Sequence, residues 1–232
     1  MTKRLNIGST LINSEEDHWE IILPTKYSKI MRALNMDSTL ANSLESNHMC
    51  IIDNFLEYKL AETLAKQITE FHRTHKSEFQ QQRNFRSDQT CWLSHHENFS
   101  ISCLNKSFSH IISNLVERYK TSDSLLQIRH KSKIQLSCFP AGCHGYKPHY
   151  DNPNDNGRLL TFVFYLNRNY KPEHGGMSQF LVKNRSELIN VEPIFNRLVI
   201  YWSDKRVITQ TLPVAKHLFS LTGWYFGEHE MN

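Results

Sequence analysis

Residues 136–167, LSCFPAGCHGYKPHYDNPNDNGRLLTFVFYLN, constrain the fold of this chain more than any other stretch. Ile134, Leu136 and Cys138 recur at every second position, and so do Leu160, Phe162, Phe164 and Leu166 farther on. Between the two runs lies a segment dense in Gly, Pro, Asn and Asp. Period-two apolar runs bracketing turn residues predict a strand, a tight loop and a second strand. The loop carries His149-Tyr150-Asp151. At a strand end, residues two apart project to one side, so an imidazole and a carboxylate are presented together. That pair supplies two of the three ligands of a facial 2-His-1-carboxylate metal site. It equally serves a hydrogen bond between His149 and Asp151 that ties down the turn.

Around this stretch the pattern changes from helical to extended. Ser38–Asn47 and Lys26–Asn35 read as short helices, and Trp19–Leu23 and Met49–Asp53 as strands. Glu57–His75 is a helix with Leu60, Leu64, Ile68 and Phe71 on one face, followed by a polar loop over Ser77–Arg86. Ser100–Lys120 carries the strongest helical spacing, through Leu104, Phe108, Ile111, Leu115 and Tyr119. Strands follow at 125–129, 133–138, 159–166, 177–182, 197–202, 206–211 and 217–226. Helices first and then a run of strands predicts a mainly β fold with flanking helices, a jelly roll covered on one side.

Composition bounds the function classes. At 232 residues without repeats the chain fits one main domain at 43–232, preceded by a variable extension over 1–42. Charges of 27 Lys+Arg against 23 Asp+Glu, net +4, contain no long basic run, so no nucleic-acid partner is expected. No apolar run approaches the ~18 residues a membrane helix needs, so no membrane partner is expected either. Five scattered cysteines and an N-terminus without an apolar leader read as reduced thiols in a cytoplasmic or nuclear protein. Cys138, Cys143 and His144 lack a fourth zinc ligand at a recognised spacing.

A series of short motifs carries a resemblance. His149-Tyr-Asp-Asn-Pro-Asn-Asp-Asn-Gly-Arg158 is followed in order by Phe164-Tyr-Leu-Asn167, Gly175-Gly176, Val191-Glu-Pro193, Tyr201-Trp-Ser-Asp204 and Gly223-Trp-Tyr-Phe226. Upstream, Ile51-Ile-Asp-Asn-Phe-Leu56, Arg86-Ser-Asp88 and Trp92 extend it. The whole resembles the hypoxia-inducible factor prolyl hydroxylases, iron(II) and 2-oxoglutarate dioxygenases, over roughly residues 43–229. The resemblance implies a double-stranded β-helix. It also implies His149 and Asp151 as metal ligands, Tyr165 and Thr222 beside 2-oxoglutarate, and Arg86, Asp88, Arg158 and Trp224 along the substrate groove. Read without it, Arg86 and Asp88 are a surface ion pair contributing ~0 to 1 kcal/mol.

The resemblance also exposes departures. The third metal ligand of the family, a His, falls on Thr209, and the Arg that meets the distal carboxylate of 2-oxoglutarate falls on Leu218. Phe139 stands where the family has Tyr. Leucine cannot offer a guanidinium fork, and Lys216 is the nearby cation. These departures lead to the expectation of a catalytically inactive relative, without cofactor, that binds another protein or peptide through the former substrate groove. The alternative is a working dioxygenase with rearranged ligands, His217 or water completing the iron site and Lys216 meeting 2-oxoglutarate. A third reading places a different small ligand in an apolar cavity lined by Leu218.

Overall fold

The computed structural model describes residues 36–81, 84–93, 99–118, 128–183 and 185–227. Among the described residues three α-helices, α1 (Met36–Asn47), α2 (Tyr58–Thr74) and α3 (Phe99–Arg118), accompany twelve strands. The strands are β1 (Met49–Ile52), β2 (Gln80–Gln81), β3 (Gln89–Leu93), β4 (Ile128–Lys131), β5 (Ile134–Phe139) and β6 (Tyr146–His149), then β7 (Arg158–Tyr165), β8 (Ser178–Val182), β9 (Leu188–Val191), β10 (Arg197–Trp202), β11 (Val207–Thr211) and β12 (Leu218–Gly227). The larger sheet runs β1-β10-β7-β12-β5-β3-β2, with β4 also paired to β12, and the smaller runs β6-β11-β8-β9. All these pairings are antiparallel. Two such sheets face to face, helices on one side, make the expected double-stranded β-helix.

Strand parity divides the larger sheet between two environments. Leu136 of β5, Leu160, Phe162 and Phe164 of β7, Leu198 and Ile200 of β10, and Leu221 of β12 join the helices in the main core. The helices meet them with Leu60, Leu64 and Ile68 of α2 and with Leu104, Phe108, Ile111 and Leu115 of α3. The alternate residues of the same strands, Ser137, Tyr165, Ser220 and Thr222 among them, line a cleft between the sheets. A strand buried on both faces can therefore be apolar on one and polar on the other, provided the polar face meets hydrogen-bond partners.

Helix α2 opens with Glu57 as cap, its carboxylate accepting from the Leu60 amide at 3.0 Å. Helix α1 crosses residues 42 and 43, where the variable extension was expected to end, and buries Leu40 and Leu44 in the main core. Trp202 of β10 donates its indole N–H to the Leu44 carbonyl at 3.0 Å. The expected strand at Trp19–Leu23 and helix at Lys26–Asn35 lie outside the described residues. Strands β2, β3, β6 and β9 were not anticipated. Pro148 in β6 removes a ladder donor, and the pairing with β11 shifts register there, which masks the strand in sequence. In β9 Ile189 and Val191 face inward, but the exposed Leu188 breaks the alternation in so short a strand.

Candidate functional site

The two sheets enclose a cleft of about 130 Å³ whose walls include His149, Asp151, Arg158, Tyr165, Thr209, Leu218, Thr222 and Trp224. Every residue that the resemblance places at metal, co-substrate or groove, except Asp88, thus borders one space. Asp88 reaches it through Arg86.

Asp151, two residues past the end of β6, is buried and heavily bonded. Its Oδ2 accepts from Thr161 Oγ1 at 2.6 Å, Trp224 Nε1 at 3.0 Å and the Tyr201 hydroxyl at 3.1 Å. Ser203 lies 2.8 Å behind Thr161 and extends the network. Burial alone would raise the Asp151 pKa, but His149 and the Thr161 and Trp224 donors outweigh it and hold the carboxyl well below the usual range. Tyr201, buried beside that charge, is pushed far above the ordinary phenol value.

His149 donates from Nδ1 to the Lys147 carbonyl at 2.7 Å, which fixes the ring and leaves Nε2 facing Asp151 Oδ1 at 3.4 Å. Tyr146 stacks on the imidazole with centroids 3.7 Å apart, and Phe85 approaches both rings edge-on. An imidazole nitrogen and a carboxylate oxygen thus stand side by side, as a metal half-site requires.

Thr209, where the resemblance places the third ligand, is the direct cross-strand partner of His149. Among the described residues no group of three or more His, Cys, Asp or Glu side chains is placed to hold a metal ion. His217 and Lys216 precede β12 and are exposed; they border a separate hollow with Lys66 and Glu70 of α2. The rearranged set with His217 and Lys216 therefore does not come together. Lys216 lies before β12 begins, where the chain bends to return its amide to the His174 carbonyl, so it does not share the cleft face of Leu218. Leu218 packs with Phe139 and Val214 and lies over the backbone of Gly176, whose positive φ of 70° and missing Cβ make the contact possible. Where the resemblance places a guanidinium there is an apolar plug. Iron(II) held by three side chains, with 2-oxoglutarate on an arginine, does not fit this donor set.

The groove-side residues are firmly held. Arg86 donates twice to Asp88, at 2.7 and 2.6 Å, and Asp88 is 0% exposed. The expected surface pair is thus a buried one, because the segment before β3 lies against Gln135 and Ser137 of β5. Arg158 places its guanidinium 4.5 Å from the Trp224 ring centroid and donates from Nη1 to the Asp151 carbonyl at 3.0 Å. Its Nε is buried without a hydrogen-bond partner among the described residues. Tyr165 bonds the Ser178 hydroxyl at 2.7 Å and burial pushes its phenol up to about 12. The cleft wall is mixed: hydroxyls such as those of Ser137, Tyr165, Ser178 and Thr222 alternate with Val163, Phe180 and the Leu218 corner, so it is not the purely apolar surface of the small-ligand reading. Thr161, Tyr201 and Ser203 were not foreseen; the sign available was Thr161, a polar residue within the apolar run LLTFVFY.

Comparison with known proteins bears on the same residues. Residues 134–226 match the model of the 2OG-Fe(II) oxygenase superfamily. The chain is 29% identical over 197 residues to human prolyl hydroxylase EGLN3, covering 78% of this chain and 79% of that one. It is 25% identical to human Egl nine homolog 1, over 81% of this chain and 46% of that protein. Among solved structures it is similar to a Trichoplax adhaerens prolyl hydroxylase in complex with a hypoxia inducible factor peptide fragment. That likeness has TM-score 0.78 and 26% identity, over 88% of this chain and 94% of the other. A Pseudomonas putida prolyl-4-hydroxylase shares the fold, with TM-score 0.74 and 21% identity over 83% of this chain and all of that one. The chain is thus similar to the 2OG-Fe(II) oxygenase superfamily over residues 134–226, and in both sequence and fold to prolyl hydroxylases.

Proposed function

We propose that this chain is a prolyl-hydroxylase-like protein without hydroxylase activity, which works by holding a peptide segment of another protein in the former substrate groove. The observation that carries the reading is the contrast within one cleft. Thr209 and Leu218 take the places of the third metal ligand and the carboxylate-binding cation, while Arg86–Asp88 and Arg158–Trp224 stay locked in place. Either departure alone undermines turnover: two side chains hold a metal loosely, and an unpaired carboxylate buried against leucine is strongly disfavoured. Since a relative holds a hypoxia inducible factor peptide, the partner class is a proline-containing peptide.

Two measurements test this. Purified protein incubated with iron(II), 2-oxoglutarate and a candidate peptide is expected to form no succinate; stoichiometric succinate overturns the reading. Peptide affinity is expected to fall roughly tenfold in Arg158→Gln, the loss expected of one central groove contact; an unchanged affinity moves the docking surface elsewhere.

The second reading, an active iron(II) and 2-oxoglutarate dioxygenase, draws on the preserved His149 Nε2 and Asp151 Oδ1 edge, with water in the third position. Its signature is a visible charge-transfer band on anaerobic addition of iron(II) and 2-oxoglutarate, lost in Asp151→Ala.

A further inference from the structure

The larger sheet bears a second hollow on its opposite face. Helix α3 and the short strand β4 enclose a cavity of about 380 Å³ bordered by Ser109, Ile112, Val116, Ile128, Lys131 and Tyr225. Lys131 sits directly across the ladder from Tyr225, and directly opposed residues of an antiparallel pair project from the same face. Tyr225 packs on Phe162 in the main core, so the Lys131 side chain is carried toward α3 and away from the cleft. Its Nζ donates to Ser109 Oγ at 3.1 Å, and that hydroxyl lies 3.4 Å from the Tyr225 hydroxyl.

An ammonium has three N–H donors, and Ser109 takes one. No carboxylate among the described residues pairs with Lys131. A lysine over an apolar surface ordinarily extends its head to water; this one turns inward onto the Ser109 hydroxyl. Burial lowers its pKa, the sign of a charge without an opposite. Tyr225, its phenol raised by the same burial, remains a hydrogen-bond donor.

We propose that this cavity binds a small organic carboxylate, its head on Lys131, Ser109 and Tyr225 and its hydrocarbon body against Ile112, Val116 and Ile128. The volume lies within the range of small-molecule sites, and the arrangement of apolar walls with a few convergent polar groups is theirs. The site is independent of the cleft, which the alternate residues Thr222 and Trp224 of β12 face from the other side of the sheet.

The test is a titration of the full chain, with carbon-13-labelled isoleucine methyls, using hexanoate as probe and hexan-1-ol as its uncharged counterpart. Hexanoate is expected to shift the Ile112 and Ile128 methyls saturably and leave Ile189, in the smaller sheet, unmoved. Affinity falls at least roughly tenfold in Lys131→Met, the loss of a charge-assisted bond, and is retained in Lys131→Arg. A peptide ending in a free leucine carboxylate, compared with its amide, tells a chain terminus from a free acid. Saturation by either acid supports the site. No shift from either acid, equal binding of hexan-1-ol, or undiminished binding in Lys131→Met overturns it. If Lys131→Met does not fold, the comparison of acid with alcohol on the unaltered chain decides.

Discussion

Three donors converge on Asp151 Oδ2, while Oδ1 stays beside His149 Nε2. Placing an imidazole opposite His149 through Thr209→His would add the third corner on a neighbouring strand. Cobalt(II) affinity, read from its visible absorption, is expected to rise at least roughly tenfold over the parent, since a third fixed ligand replaces water. An unchanged affinity means that the Asp151 network holds its carboxylate away from any ion. Arg86→Ala leaves Asp88 charged in a dry site and is expected to lower stability by about 3 to 5 kcal/mol in denaturant titration. A surface pair would register below about 1 kcal/mol. His149, Asp151, Tyr165, Arg158 and Trp224 were legible because motif spacing survives without a structure. Thr161, Tyr201 and Ser203 were not, because their role depends on which neighbour each strand faces, and pairing register is a long-range property.

At the level of elements, the long amphipathic helices and the central strands could be read from periodicity alone, since each has a dense apolar face. Strands β6 and β9 could not. Pro148 interrupts one, and the other exposes Leu188 at the rim of the smaller sheet. Helix α1 was legible in extent but not in importance: its polar sequence hides two leucines that plug the core beneath Trp202. Leu44→Ala is therefore expected to destabilise the fold by about 2 to 5 kcal/mol, as for any fully buried leucine. A loss below about 1 kcal/mol would place α1 outside the cooperative unit.

For the molecule as a whole, acid is the expected weakness. Burial works to raise the Asp151 and Asp204 carboxyls, but bonded neighbours lower both, and Arg197 lowers Asp53. Each folded pKa lies below its unfolded value, so the unfolded chain binds more protons in the intervening window. The stability these groups contribute is present above about pH 4 and drains away as pH falls toward the folded values. Melting temperature should drop between about pH 5 and pH 3, and less steeply in Arg197→Gln, in which the Asp53 carboxyl has no guanidinium to lower it; a flat profile contradicts the assignment.

The short run Phe85–Ser87 adds itself to the rim of the smaller sheet. The Ser87 amide bonds the Gly145 carbonyl at 3.0 Å, and the Lys147 amide bonds the Phe85 carbonyl at 3.2 Å. Prising the mouth wider at this lip and unzipping the sheet's margin are thus a single event. A bulky guest that forces entry there would bring the Ser87 and Lys147 amides into deuterium exchange together, whereas one that threads in from the Arg158 side would leave both protected.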